Sequence, residues 1–289
     1  MPAQHGGWSF VLEPALVGVL LAPTFGGLLL GVAAFMIFLL DQPLRVAVKD
    51  RRKGKYYART RLAERAALVY AGVGALAITG VVLFAQHPFW IPLLLALPLA
   101  LIQLNLDLRN QARSASAEIA GALALGAVAP AIVLMAGWPL AAALGLWAAL
   151  ALRDVSAVLY VRARLRLEKG KPAEAAPTLL AHILLIGGLT ALVAAGLTPP
   201  LALVGGLLLT GRALLGLSRW RKPSSAVQTG VREVFYGLAY CALLVLGYRL
   251  CEYLKRPASP KPLLTSEVRG IASLRPRLPP VPRVGTAVR

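Results

Sequence analysis

The sequence predicts an all-α fold: a polytopic transmembrane helical bundle of about nine spans with its N-terminus in the cytoplasm. Three observations predict it. The chain is 58% hydrophobic and only 15% charged, where average soluble domains carry roughly 25% charged residues. Its apolar residues fall into long uninterrupted runs. Its lysines and arginines, up to residue 249, occupy one alternate set of the gaps between those runs.

A helix needs about 20 residues to cross a hydrocarbon core of about 30 Å. Nine apolar runs approach or meet that length: 8–22, 25–40, 66–85, 89–104, 117–136, 139–161, 177–197, 199–217 and 233–250. The first two are short. A single helix over both would reach about 50 Å, too long for one crossing. The intervening Pro23-Thr24-Phe25-Gly26-Gly27 is rich in helix breakers, so a tight helical hairpin is expected. The longest loops, 41–65 and 162–176, have room only for short amphipathic helices.

The gaps fix the orientation. Arg45, Lys49, Arg51, Arg52, Lys53, Lys55, Arg59, Arg61 and Arg65 crowd the second gap, and Arg109 and Arg113 the fourth. Arg162, Arg164, Arg166, Lys169 and Lys171 fill the sixth; Arg212, Arg219, Arg221, Lys222 and Arg232 lie in or beside the eighth. The gaps Gln86-His87-Pro88, Gly137-Trp138-Pro139 and Thr198-Pro199-Pro200 contain no lysine or arginine. Cytoplasmic loops retain positive charge, so the basic gaps are read as cytoplasmic. The net charge of +19 then matches an anionic membrane leaflet and its lipids. It argues against a nucleic-acid partner, because the charge is split between spans and forms no single soluble face. No lysine or arginine precedes Arg45, so the first run lacks the basic n-region of a signal peptide and is expected to be retained. Cys241 and Cys251 have no metal-ligand spacing. Two domains follow: a transmembrane helical domain over 1–250, and a basic, proline-rich tail over 251–289 read as disordered.

Ionisable groups inside spans are costly and face a bundle interior or a wet cavity. Glu13, Glu118, Arg153, Asp154, His182, Arg212 and Glu233 lie deep in six runs, yet at one depth from the cytoplasmic side. One cytoplasm-facing intramembrane cavity would explain them. Pairing between neighbouring helices, serving only to hold the bundle together, is the alternative. The potential ligand-binding residues are these deep residues without Arg212, together with His5 near the N-terminus, Arg45 and Lys49 after the second run, and Tyr160 and Arg162 at the end of the sixth. On a helix Arg153, Ser156, Tyr160 and Arg164 share a face, with Asp154, Val158 and Arg162 on the adjacent stripe. Guanidinium groups at a membrane boundary suit phosphate. No nucleophile elbow, phosphate-binding loop or Cys-x-x-Cys occurs, and His5, His87 and His182 are not spaced as metal ligands. The pairs Gly187-Gly188 and Gly205-Gly206 read as helix-packing positions.

Gln4-His5-Gly6-Gly7-Trp8, Glu13-Pro14, Trp147 and Tyr160-Val161-Arg162-Ala163-Arg164 resemble the YwiC-like family of bacterial integral membrane proteins, over roughly residues 3–250. The resemblance implies a multi-pass protein of the bacterial cytoplasmic membrane and supplies no reaction. The arrangement of nine spans, with polar loops after runs 2, 4, 6 and 8, is more distantly similar to the UbiA prenyltransferase superfamily. That similarity implies two aspartate-rich motifs holding Mg²⁺ and a prenyl diphosphate. Arg153-Asp154 resembles the start of the second motif. Val158 stands where a further aspartate belongs, and Asp41, Arg45, Lys49 and Asp50 replace the first motif. The expected function is therefore binding of an anionic amphipathic ligand (a prenyl phosphate, quinone precursor or phospholipid) by arginines, without a metal or other cofactor. An active prenyl or lipid transferase using Mg²⁺, or a small-solute transporter, is the alternative.

Overall fold

The computed structural model describes residues 7–173 and 175–255. They form ten helices: α1 (Gly7–Leu21), α2 (Phe25–Arg52), α3 (Ala58–Phe84), α4 (Trp90–Leu108), α5 (Ala115–Gly126), α6 (Val128–Met135), α7 (Leu140–Glu168), α8 (Ala175–Ala194), α9 (Leu201–Leu217) and α10 (Ala226–Lys255). The described residues contain no strand. Because α5 and α6 together make one span, the ten helices account for the nine apolar runs. Seven segments are long and apolar enough to cross a membrane; α1 and α9 are equally apolar but shorter. The chain is a multi-span membrane protein. Its helical body ends at Glu252, and a second unit begins at Tyr253. The tail beyond Lys255 lies outside the described residues.

The expected hairpin is present. α1 stops at Leu21 and α2 begins at Phe25. Thr24 caps α2, its hydroxyl oxygen accepting from the Gly27 amide at 3.0 Å, which satisfies one of the amides a helix start leaves free. The loop expected over 41–65 is mostly helix. Residues 41–52 continue α2, and α3 starts at Ala58. Likewise α7 runs on to Glu168. The physical reason is that apolar character ends where the lipid ends, whereas arginine, lysine and glutamate remain good helix formers in water. An (i, i+4) pair, Asp41 with Arg45 at 2.8 Å, sits in the extension of α2.

Every residue of α6 is buried. One apolar cluster packs Val133 of α6 with Val17 of α1, Leu146 and Leu150 of α7, Leu185 of α8, Leu209 of α9 and Leu244 of α10. The other packs Ile132 and Met135 of α6 with Leu30 of α2 and Val81 of α3. α6 thus joins the two halves of the bundle. Of the apolar windows, that of Ala115–Met135 is 72% buried and that of Trp90–Leu108 only 11%, which puts α5–α6 at the centre and α4 at the perimeter. Lipid gives no hydrophobic drive for helices to associate, so close packing and hydrogen bonds must hold them. A methyl on Gly18 would come within 2.9 Å of Ile132, and one on Gly205 within 2.7 Å of the Tyr240 ring. Tyr240 donates its hydroxyl to the Ala149 carbonyl at 2.9 Å, and Tyr248 to the Leu197 carbonyl at 2.9 Å. Of the glycine pairs read from the sequence, Gly188, Gly205 and Gly206 meet neighbouring helices, whereas Gly187 faces open space.

Ion pairs join the basic ends of the helices. Arg45 links α2 to Asp107 of α4. Arg59 and Arg51 link α3 and α2 through Asp50 and Glu64, at 2.8 and 2.6 Å. Arg162 of α7 reaches Glu118 of α5 at 2.9 Å. The basic gaps therefore converge on one end. At the other, Arg249 donates to the Leu20 carbonyl at 2.6 Å, Trp138 packs on Tyr248, and Phe25 packs on Phe84.

Two outcomes follow from this arrangement. Gly205→Val should lower stability by about 1–3 kcal/mol through overpacking, while Gly187→Val stays near neutral; denaturation in mixed micelles measures both. If the basic end faces the cytoplasm, a cysteine placed at Gly54 should react with impermeant thiol reagents only from the cytoplasmic side, and one at Gln86 only from the opposite side. Labelling of both positions from the same side would disprove the alternation.

Candidate functional site

Glu13 lies in α1, where Pro14 follows it within the helix. Arg153 and Asp154 are consecutive in α7, Arg212 is in α9, and Glu233, Tyr236 and Cys241 are in α10. Successive residues of a helix diverge by about 100°, yet Arg153 bends its guanidinium back to its neighbour. Its Nη1 donates to Asp154 Oδ1 at 2.7 Å, and its Nη2 meets the two carboxylate oxygens of Glu13 at 3.0 and 2.8 Å. All three residues are 3% exposed. Gly237 makes the space: any side chain there would overlap the Arg153 guanidinium and the Glu13 carboxylate. Cys241 Sγ lies 4.0 Å from Glu13 Oε2. Phe10 of α1 flanks the Arg153 guanidinium, with its ring centre 6.0 Å away.

A second group adjoins the first. Arg212 pairs through Nη1 with Glu233. Its guanidinium lies 4.1 Å from the centre of the Tyr160 ring and 5.5 Å from that of Tyr236, within cation–π range of both. His182 of α8 donates from Nδ1 to the Thr178 carbonyl at 2.8 Å; that bond leaves Nε2 as the bare acceptor of a neutral ring. His182 and Glu233 both lie within electrostatic reach of Arg212, and Glu233 also of Arg153 and Glu13. Five polar atoms of these two groups have no hydrogen-bond partner although fully buried: Arg153 Nε, Arg212 Nε and Nη2, His182 Nε2 and Asp154 Oδ2. Buried polar atoms without partners are rare and costly.

Of the residues named from the sequence, Glu13, Arg153, Asp154, Tyr160, His182 and Glu233 lie in these two adjoining groups. Arg45, Lys49, Glu118 and Arg162 are not. Arg45 is exposed and faces Asp41 and Asp107. Lys49 is exposed. Arg162 and Glu118 face each other at the basic end, each more than a third exposed. These four therefore do not share one cavity with the deep residues: they sit beyond the apolar part of their helices, where pairing at the water boundary is inexpensive. His5 lies outside the described residues. The site also contains residues that the ligand set omitted. Arg212 was visible as a deep charge, but nothing in its spacing pointed to Tyr160. Tyr236, Cys241, Phe10 and Gly237 carry no signal apart from tertiary contact. Trp8 packs on Phe35 and Phe38 of α2 with ring centres 5.8 and 5.5 Å away.

The residues do not fit the Mg²⁺ that the transferase alternative requires. Asp41, Asp50 and Asp154 each face an arginine, and no group of three His, Cys, Asp or Glu among the described residues is placed to hold a metal. A hard cation such as Mg²⁺ needs several oxygen ligands in octahedral array.

Removing one partner of a buried ion pair strands the others. Arg153→Met should therefore cost about 3–5 kcal/mol. The triple variant Glu13→Gln/Arg153→Met/Asp154→Asn should recover most of that loss. Denaturation in mixed micelles reads both; equal losses in the two variants would show that packing, not charge, sets the cost.

No curated protein and no solved structure matches the chain, so the UbiA-like arrangement rests on span count and loop placement alone. The family comparison covers less of the chain than the expected 3–250: Trp147 and Tyr160–Arg164 lie beyond its limit. Over residues 1–133, which take in α1 to α5 and most of α6 with Glu13 and Glu118 among them, the chain matches the family model of the YwiC-like proteins.

Proposed function

We propose that this multi-span membrane protein binds the headgroup of an anionic amphipathic ligand (a prenyl phosphate, a quinone precursor or a phospholipid) at Arg212, between α7, α8, α9 and α10. The observation that carries this reading is the guanidinium of Arg212. It has one carboxylate partner, and two of its nitrogens are buried without an acceptor. Arg153, Arg162 and Arg164 of α7 already face carboxylates, and of these only Arg153 keeps a buried nitrogen, its Nε, without an acceptor, against two on Arg212. An unsatisfied buried donor costs about 1–3 kcal/mol. A phosphate or carboxylate oxygen would remove that cost, and the guanidinium fork suits such oxygens in bidentate geometry.

The surroundings support the same chemistry. The Tyr160 and Tyr236 rings lie against the guanidinium and fix its position without supplying an acceptor to its free nitrogens. An apolar groove between α5, α7 and α8, lined by Leu123, Ala148, Leu152, Val155, Ala181 and Leu184, would accept a hydrocarbon tail. Membrane location follows from the apolar helices; the cytoplasmic membrane of a bacterium is the compartment the YwiC-like match suggests.

Lipids retained by the purified protein test the proposal. Mass spectrometry should find a specific anionic amphipath bound to the wild type, lost from Arg212→Met by at least tenfold and kept by Arg162→Ala. Arg212→Lys should retain part of it, because the charge survives and the bidentate fork does not. Identical lipid profiles in wild type and Arg212→Met would refute the assignment.

A further inference from the structure

The break between α5 and α6 carries an inference that does not rest on the anion site. Glu13, Asp154 and Glu233 contribute three buried carboxyl groups to the cluster, and Arg153 and Arg212 contribute two guanidiniums. Arg164 and Glu168, paired at 2.6 Å at the mouth, add one of each sign. One negative charge is left over. Uncompensated charge in apolar surroundings is expensive, and inside a membrane a counter-charge is the usual solution.

The geometry locates the excess. Both oxygens of Glu13 lie on Arg153 Nη2, at 3.0 and 2.8 Å, and Glu233 faces Arg212. Asp154 spends Oδ1 on Arg153 at 2.7 Å, while its Oδ2 is buried and unpartnered. That oxygen lies beside Gly126, 3.9 Å from where a methyl on Gly126 would sit. α5 ends at Gly126 and α6 starts at Val128. Proline has no amide hydrogen, so Pro130 denies the Gly126 carbonyl its normal helical donor. The break also exposes the Leu123 carbonyl, which Trp147 Nε1 satisfies at 3.0 Å. No side chain does the same for Asp154 Oδ2. A carboxylate oxygen and a carbonyl lacking its helical donor thus border one helix break, the setting in which membrane helices bind small cations.

We propose that Asp154 Oδ2 holds one exchangeable monovalent cation, a proton or Na⁺, at the α5–α6 break. As a proton it turns Oδ2 from an acceptor into a donor. As Na⁺ it takes the same oxygen as its anionic ligand. The charged and titratable groups that interact with Asp154 are Glu13 from α1, Arg153 from its own helix, and Tyr240 and Cys241 from α10; Glu233 from α10 and Arg212 from α9 follow beyond Arg153. Residues 119–135 of α5 and α6 include no ionisable side chain, so nothing on that side neutralises Asp154.

The test uses the full chain in lipid nanodiscs. Infrared spectra at neutral pH look for the carbonyl stretch of a protonated carboxyl group; isotopically labelled aspartate assigns it. Thermal midpoints are compared in sodium chloride and choline chloride. A band that shifts with labelled aspartate, absent from Asp154→Asn and present in Glu13→Gln, establishes the proton. No such band, together with a sodium-dependent rise in midpoint that Asp154→Asn removes, establishes Na⁺. Wild-type protein showing neither the aspartate band nor a sodium effect overturns the proposal. So does a band that belongs to glutamate. Where Asp154→Asn does not fold, Asp154→Ser takes its place in both arms, and a wild type with neither signal still overturns the proposal.

Discussion

Charge inside an apolar bundle must be matched within bonding distance, and the pairing of Arg153 with Glu13 and Asp154 is where this chain meets that constraint. The three groups come from α1 and α7, and α10 closes over them through Gly237 and Cys241. Had α10 carried a side chain at 237, it could not approach. The register of α1, α7 and α10 is therefore set by an electrostatic contact, and the apolar cluster of Val17, Leu146, Tyr240 and Leu244 packs around that register.

The second constraint is steric. α6 is buried on every side, and its neighbours reach it over glycine and alanine. Ile132 sits where only Gly18 and Gly27 give room. Such an element has no lipid-facing surface, so the ordinary turn-by-turn helix can be broken at Ala127 without exposing backbone to lipid; Trp147 supplies the hydrogen bond that the break releases. The kink and the Asp154 carboxylate meet at Gly126. A flexible backbone position and a buried charge thus occupy one place, at the join between the two halves of the bundle.

The periphery obeys different rules. At the basic end Asp50, Glu64, Asp107 and Glu118 each take an arginine from a neighbouring helix. Those pairs sit at the water boundary, where each contributes little by itself. Their collective effect is to gather the basic helix ends on one side. The Arg212 cluster lies between these regimes: deep enough that its open guanidinium edges are costly, yet in the half of the bundle that the basic loops cover.

What the sequence by itself determined is the class of molecule, the number of apolar segments, the hairpin at Pro23, the alternation of charged loops and most of the deep ionisable residues, Glu118 being at the water boundary instead and the buried Arg164 not foreseen. Each is a property of composition or of spacing along one helix, and the hydrophobic thickness of a membrane converts it directly into structure. The lengths of α2 and α7 were underestimated, because a hydropathy run ends at the lipid boundary and a helix need not. Which deep residues meet was decided only in the tertiary structure. Glu13 and Arg153 are separated by 140 positions, and no periodicity links them. Arg162 and Arg212 look equivalent in the sequence; only packing leaves the first paired at the surface and the second buried with two open donors. Charge can be read residue by residue, whereas its neutralisation is a property of pairs, and pairs are made by the fold.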